Sequence, residues 1–477
     1  MNFKEHSLKK YYSFFILIIF AIIEIQVQTS CANIIPPTGG PRDSLPPVLI
    51  KAVPADSALH FNANRVTLTF NEYVQLDPQL LQSIITSPNP VQQPYAQSHL
   101  QTVTVRLKDS LQPNTTYSIN FGDAIKDVNE GNIYKNFTYV FSTGNTIANG
   151  ELSGKVQLAE TGAIDSTLIV ILHKDLNDSA IKKERPYYYA RLDSGGNFNF
   201  QYLAYGTYNV FVLPNDYTKK YDDSTKMFAF LNAPVTIDST ASEPVSLYAY
   251  NQYKPSKENN NIAPPPNTSN KKNAADTILK FATNMQKAEQ DLLGNFVISF
   301  QKHLQYYDSS KIILSDTNFN RISNYRLTAD DSLTTFTLHY PWKEDEYFKL
   351  LIEKDAFKDS SGHTLAKNDT INFKTASENE YGSIRLQFLN LDTSKNPVLQ
   401  FVQNNQVVDS VALTSNIFYR KLFKPGDYDL RILYDTDKNI TWTPGDFELK
   451  KQPEIVIAIP RKVTIKQNWD NEVNINL

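Results

Sequence analysis

Hydrophobic and polar positions alternate along most of this chain. Val66, Leu68 and Phe70 are spaced by single polar residues, as are Val103, Val105 and Leu107, then Tyr208, Val210 and Val212, then Phe336, Leu338 and Tyr340, then Tyr428, Leu430 and Ile432. A period of two is the signature of a strand with one buried face. Continuous apolar runs from Leu168 to Leu172 and from Ile455 to Ile459 predict strands covered on both faces. One short helix is predicted around Met285 to Leu293. Pro, Asn, Asp and Gly punctuate the runs at short intervals, so the pattern predicts an all-β chain of β-sandwiches.

The pattern also repeats. Val66-Thr67-Leu68-Thr69-Phe70 matches Phe296-Val297-Ile298-Ser299-Phe300, and Tyr117 matches Tyr347. At nearly the same separation, Asp123-Ala124-Ile125-Lys126-Asp127 matches Asp355-Ala356-Phe357-Lys358-Asp359, and Phe141-x-Thr143 matches Phe373-x-Thr375. Further on, the segment Leu203 to Tyr208 matches Leu422 to Tyr428 with a shortened separation. Each half is thus one module followed by a second kind, and tandem β-sandwich modules in two repeated pairs are expected. The boundaries read as 1–30, an export signal; 31–47, a Pro/Gly tether; 48–145 and 150–250, the first pair; 251–276, a linker; 277–376 and 381–477, the second pair.

Composition agrees with packed domains: 477 residues, 41% hydrophobic, with 27 Phe and 27 Tyr. The net charge of -3 builds no field for nucleic acid, which excludes that class of partner. Lys4, Lys9 and Lys10 precede an apolar run from Phe14 to Ile23, and the chain turns polar at Glu24. This is the layout of a secretory signal, too short for a permanent membrane span. Cys31, the single cysteine, follows Thr29-Ser30 directly, so no internal disulfide can form.

Those residues resemble a bacterial lipobox, with Gln28 where an aliphatic residue is usual. The resemblance implies a thioether-linked diacylglycerol on Cys31, a cut before it, and a lipid bilayer as partner. The lipoproteins it is similar to are those of Bacteroidota, which implies an outer-membrane lipoprotein on its periplasmic or surface face. Leu111-x-Pro113-x-x-x-Tyr117 has the form of a tyrosine corner, and with Asp123 to Asp127, Gly131 and Phe141-Ser142-Thr143-Gly144 it resembles the bacterial Ig-like domain of the S-layer-protein type. The segment 277–376 looks like a second copy without the proline. Ser153-Gly154-Lys155-Val156 and Asp193-x-x-Gly196-x-Phe198-x-Phe200-x-x-Leu203-x-x-Gly206-x-Tyr208 resemble the carboxypeptidase-regulatory or collagen-adhesin B type of transthyretin-like sandwich. Such families imply spacers, stalks or adhesion modules, and no catalytic residues to transfer.

The seven histidines, at 6, 60, 99, 173, 303, 339 and 363, show no metal-binding spacing, and no nucleophile elbow or phosphate loop is present. Asp123 and Asp127 form a carboxylate pair whose simplest role is to cap a turn. Asp435, Asp437, Asn439 and Asp446 place hard oxygen donors at Ca²⁺-loop spacing, although Ile440 stands where such a loop needs Gly, and an Asx-rich hairpin accounts for the same residues. No other cofactor is expected. Tyr187-Tyr188-Tyr189, Tyr306-Tyr307, Trp342, Trp442 and Trp469 are candidate sugar platforms if exposed, Trp442 first among them because it adjoins the acidic turn. The expected function is a non-enzymatic envelope lipoprotein with a structural or adhesive role and a protein or glycan partner. The alternatives are a carbohydrate-binding surface lipoprotein of a glycan-utilisation system, and a hydrolase with a site hidden from motif reading.

Overall fold

Strands alternate with turns through the computed structural model, which describes residues 16–19, 42–81, 84–240, 242–252 and 278–477. Cys31 and most of the segments expected to be export signal, tether and linker fall outside these residues. The described residues divide into two compact units, one drawn from 1–85, 92–110 and 119–140, and the other from 86–91, 111–118 and 141–477. In the first, an antiparallel sheet runs in the order Leu49–Val53, Arg65–Phe70, Thr102–Arg106, Tyr95–His99. Val66, Leu68 and Phe70 all point inward and are essentially inaccessible, as alternation requires. A small sheet of Val74–Leu76, Ile125–Asp127 and Ile133–Tyr134 carries the turn that follows Ala124. Strands Ile85–Ser87, Thr116–Gly122 and Phe137–Ser142 form a further three-stranded sheet, with Thr116–Gly122 at its centre.

The second unit holds three sandwiches. In the 281–375 sandwich, one sheet orders Phe281–Thr283, Phe296–Phe300, Thr335–His339 and Arg326–Ala329, and the other Glu289–Gln290, Asp369–Thr375, Tyr347–Ile352 and Ile312–Ser315. Phe296, Phe336, Phe348, Phe373 and Trp342 fill the space between them.

The 150–249 and 382–476 sandwiches share one topology. Gly150–Leu158 pairs antiparallel with Asn197–Leu203 and parallel with Val245–Ala249, and Gly382–Leu389 does the same with Ile417–Phe423 and Asp470–Asn476. The facing sheets are built on Leu168–His173 and Gly206–Pro214 in one, and on Pro397–Gln403 and Gly426–Tyr434 in the other. Tyr208 donates its hydroxyl to Ala204 O at 2.7 Å, and Tyr428 to Lys424 O at 3.0 Å, so the Gly-x-Tyr turn is pinned identically in both copies.

Two sequence expectations are corrected. Met285 to Leu293 is not helical: Lys287 and Ala288 adopt left-handed backbone, and Glu289–Gln290 is a short strand. The buried Gln290 side chain donates to Asp291 O and Gly294 O and so braces a turn that no helix could follow. The run Ile455 to Ile459 is not covered on both faces. Ile455–Ala458 is at the edge of its sheet, where Val456 is buried and Ile457 is exposed. Leu168–His173, by contrast, is central and buried throughout.

The 150–249 and 382–476 sandwiches also pack on one another, which the sequence did not suggest. Phe447, in a turn of the later sandwich, is buried among Phe211, Phe228 and Phe230 of the earlier one, at ring separations of 5.8, 5.1 and 5.1 Å. Lys450 lies over the Phe447 ring at 4.1 Å and pairs with Asp178 at 2.5 Å, while Lys182 pairs with Glu448 at 2.9 Å. Gly162 has φ +68, and a Cβ there would fall 2.7 Å from Ala458 N and 2.8 Å from Val456 O. Only glycine permits that approach.

Candidate functional site

The acidic segment after strand Gly426–Tyr434 brings three carboxylates together. Carboxylate oxygens of Asp435, Asp437 and Glu454 lie within 4.8 Å of one another, with Asp435 and Glu454 buried and Asp437 exposed. Asp435 accepts from the backbone N–H of Asn439 at 3.2 Å and of Ile440 at 2.8 Å. Glu454 accepts from the backbone of Thr436 at 2.6 Å, Asp437 at 3.3 Å and Thr443 at 3.0 Å, and from the Thr436 hydroxyl. The Thr443 hydroxyl, donating at 2.7 Å, is the main influence holding the Asp437 carboxyl below its ordinary pKa.

Of the residues expected from spacing, Asp435, Asp437 and Asn439 share this turn. Asn439 accepts from Thr441 N and donates to Thr443 Oγ1. Asp446 is elsewhere: it caps the next turn, accepting from the backbone of Glu448 and Leu449. Glu454 takes its place, unannounced by spacing because chain reversal delivers it from just before the strand Ile455–Ala458. Two buried carboxylates are therefore engaged by backbone donors, which is the Asx-hairpin arrangement. Trp442 donates its indole N–H to Glu454 O at 2.8 Å and packs on Val398, Leu433 and Val456, so it is a half-buried wedge and not a free ring.

The Asp-x-x-x-Asp segments resolve in the same way. Asp127 is buried and accepts from the backbone of Glu130, Gly131 and Asn132 at 2.7, 2.8 and 2.9 Å. Burial raises its carboxyl pKa, but these donors outweigh it and leave the net value lowered. Asp359 repeats the arrangement with Ser361 N, His363 N and His363 Nδ1. The tyrosine corner is present, with Gln112 N donating to Tyr117 Oη at 2.8 Å. Its counterpart Tyr347 is exposed on the strand face and makes no such corner.

The remaining aromatics divide by exposure. Tyr188 and Trp342 are buried, the latter donating to Gly294 O, while Tyr306 and Trp469 are exposed. His173 is buried against Phe211, and desolvation lowers its pKa to about 4. An apolar groove lies between Leu279, Phe281, Leu365 and Ile371, with Lys280, Lys367 and Asp369 at its margins. The buried carboxylates and His173 are not among its lining residues.

Residues 43–143 match the family model described as a bacterial Ig-like domain. No curated protein matches the chain. Among solved structures, BcpA, the major pilin subunit of Bacillus cereus, is 12% identical and covers 69% of this chain and 99% of its own, with a TM-score of 0.17. The Bacillus anthracis TIE protein is 10% identical over 92% of this chain and 75% of its own, with a TM-score of 0.17. The S-layer protein rSbsC is 11% identical over 90% and 54%, with a TM-score of 0.16. Superpositions this loose carry no residue correspondence.

Proposed function

We propose that this chain is a structural or adhesive protein of the bacterial cell envelope, held at the outer membrane by acylation of Cys31, with its β-sandwiches carrying an interaction surface away from the bilayer. In this reading 150–250 and 381–477 are transthyretin-like modules, 277–376 is a second Ig-like copy, and the lineage is Bacteroidota. The observation that carries the reading is the Phe447 cluster. A buried aromatic side chain with flanking ion pairs joins two sandwiches into one body, the construction expected of a rigid spacer. The Ig-like match over 43–143 supports it, and so does the engagement of Asp127, Asp359, Asp435 and Glu454 in bracing turns.

The test is intact-mass analysis of membrane-extracted protein beside a Cys31→Ala variant, with fractionation and protease shaving of whole cells. A chain beginning at an acylated Cys31, membrane-bound and sensitive to shaving, is the expected result. An unmodified cysteine in a soluble protein would remove the anchor, and a protein recovered in the cytosol would remove the envelope reading altogether.

A further inference from the structure

Residues 376–381 connect the 281–375 and 382–476 sandwiches, and tandem domains move relative to one another unless contacts between them forbid it. Here the connection itself is held to one shape. Glu378–Glu380 is a single turn of 3₁₀ helix, Ser377 and Glu380 close a capping box across it, and Tyr381 at its end is buried. The Tyr381 carbonyl accepts from Asn468 N at 2.7 Å, which ties the end of the turn to the later sandwich.

The Tyr381 hydroxyl reaches the other way. It accepts from the backbone N–H of Leu292 at 2.9 Å and donates to Asp291 Oδ1 at 2.7 Å, both in the turn that precedes strand Phe296–Phe300. Asp291 Oδ1 also takes Leu293 N at 2.9 Å, and the second oxygen pairs with Lys424, from the turn before Gly426 in the later sandwich. Burial raises the Asp291 carboxyl pKa, but Lys424, Tyr381 and the Leu293 N–H outweigh it and leave the net value lowered, so the group is an anion. Burial first, and then that anion, push the Tyr381 hydroxyl above its ordinary pKa and keep the proton on the donor.

A second line of contact runs through the same connection. Glu344, of the 281–375 sandwich, accepts from Glu378 N at 2.9 Å, and the Glu378 carboxylate pairs with Lys421 of strand Ile417–Phe423 at 2.6 Å. One attachment leaves a swivel, whereas two separate ones oppose rotation about either. The two lysine ion pairs are open to solvent and contribute little alone, but the Tyr381 hydroxyl is buried, and removing it takes the acceptor from Leu292 N and a donor from Asp291. Asn149, which like Tyr381 precedes the first glycine of its sandwich, is instead exposed and accepts from Tyr205 Oη at 2.6 Å, so the two copies differ at this position.

We propose that Asp291, Tyr381 and Lys424 form a clasp that locks the joint between the 281–375 and 382–476 sandwiches. With the clasp closed the two move as one body, and with the Tyr381 hydroxyl removed they pivot on residues 376–380. The inference extends the rigid-spacer reading and is measured apart from it. A flexible joint would leave the envelope assignment standing, and a protein without the anchor would leave the clasp standing.

The experiment is pulsed electron spin resonance on the full chain carrying Cys31→Ala, with spin labels attached at Asp331→Cys and Gln406→Cys, one exposed position on each sandwich. The expected result is one narrow distance distribution in this parent and its replacement by a broad one in Tyr381→Phe, which keeps the ring and removes only the hydroxyl. The pair Lys421→Gln with Lys424→Gln is expected to broaden the distribution less, and Tyr306→Phe, on an exposed ring of the 281–375 sandwich, to leave it unchanged. Thermal melts of each variant exclude unfolding, and if Tyr381→Phe fails to fold, the lysine pair still reads the joint. A broad distribution in the parent overturns the clasp. A narrow, unshifted distribution in both Tyr381→Phe and the lysine pair overturns it as well, and so does equal broadening in Tyr306→Phe.

Discussion

Val456 donates its backbone N–H to the carbonyl of Ala159 at 2.9 Å, a ladder-type bond between two sandwiches and not within one. It forms because Gly162 lets the chains approach and because Phe447 covers the aromatic face of the earlier sheet. Hydrogen bond, glycine and aromatic wedge are parts of one interface.

Phe447→Ala is therefore expected to cost about 3 kcal/mol, the usual penalty for truncating a buried phenylalanine. Chemical denaturation followed by tryptophan fluorescence and by circular dichroism would show one shared transition in the parent and two separated ones in the variant. Gly162→Ala should act in the same direction through the clash with Val456 O. Unchanged, superimposable transitions in both variants would mean that the interface contributes nothing in solution.

Acid should expose the role of Asp127. Its pKa is lowered in the folded chain, so the stability it contributes is fully present above the unfolded-state value and is lost as pH falls through the lower, folded one. Asp127→Asn keeps a single acceptor oxygen for three donors and should cost about 1 to 2 kcal/mol near neutrality. Urea midpoints measured as pH is lowered would converge for parent and variant. A constant difference down to the lowest pH would contradict the assignment.

His173 predicts a separate, higher window. Its folded pKa of about 4 is below the unfolded value, so the unfolded chain takes up the proton first. Stability should fall by about 1.4 kcal/mol for each pH unit between roughly 6.5 and 4, and no further below. His173→Phe, which keeps an aromatic ring against Phe211, should flatten that limb. Its persistence in the variant would place the titration elsewhere.

For the acidic turn, Glu454→Gln is expected to lower stability by about 1 to 3 kcal/mol, since buried backbone donors lose a charged acceptor. Added Ca²⁺ or EDTA should leave the parent melting temperature unchanged, because the two buried carboxylates already have hydrogen-bond partners. A rise with Ca²⁺ that disappears in Asp437→Asn would establish a metal site at Asp435, Asp437 and Glu454.

Local order was legible because it is written in adjacent residues. Alternation located Val66, Leu68 and Phe70 in a core, the spacing from Leu111 to Tyr117 announced the corner that Gln112 N completes, and Asp-x-x-x-Asp announced the cap built by Asp127. What could not be read depends on distant parts of the chain. Glu454 reaches Asp435 only after the strand reverses, and nothing local to Phe447 distinguishes it from a core residue of its own sandwich. Met285 to Leu293 misled because residues of helical character are held in left-handed backbone by a turn whose brace, Gln290, carries no apolar signal.

The contact between Lys450 and Asp178 spans 272 positions of sequence. Loops that long close late, after local pairing is complete. During synthesis, then, the earlier sandwich folds with Phe211, Phe228 and Phe230 uncovered and waits for nearly the whole remaining chain before Phe447 arrives. That interval is when the molecule is most exposed to aggregation and to proteolysis, and a chain truncated before residue 447 would remain in that vulnerable state permanently.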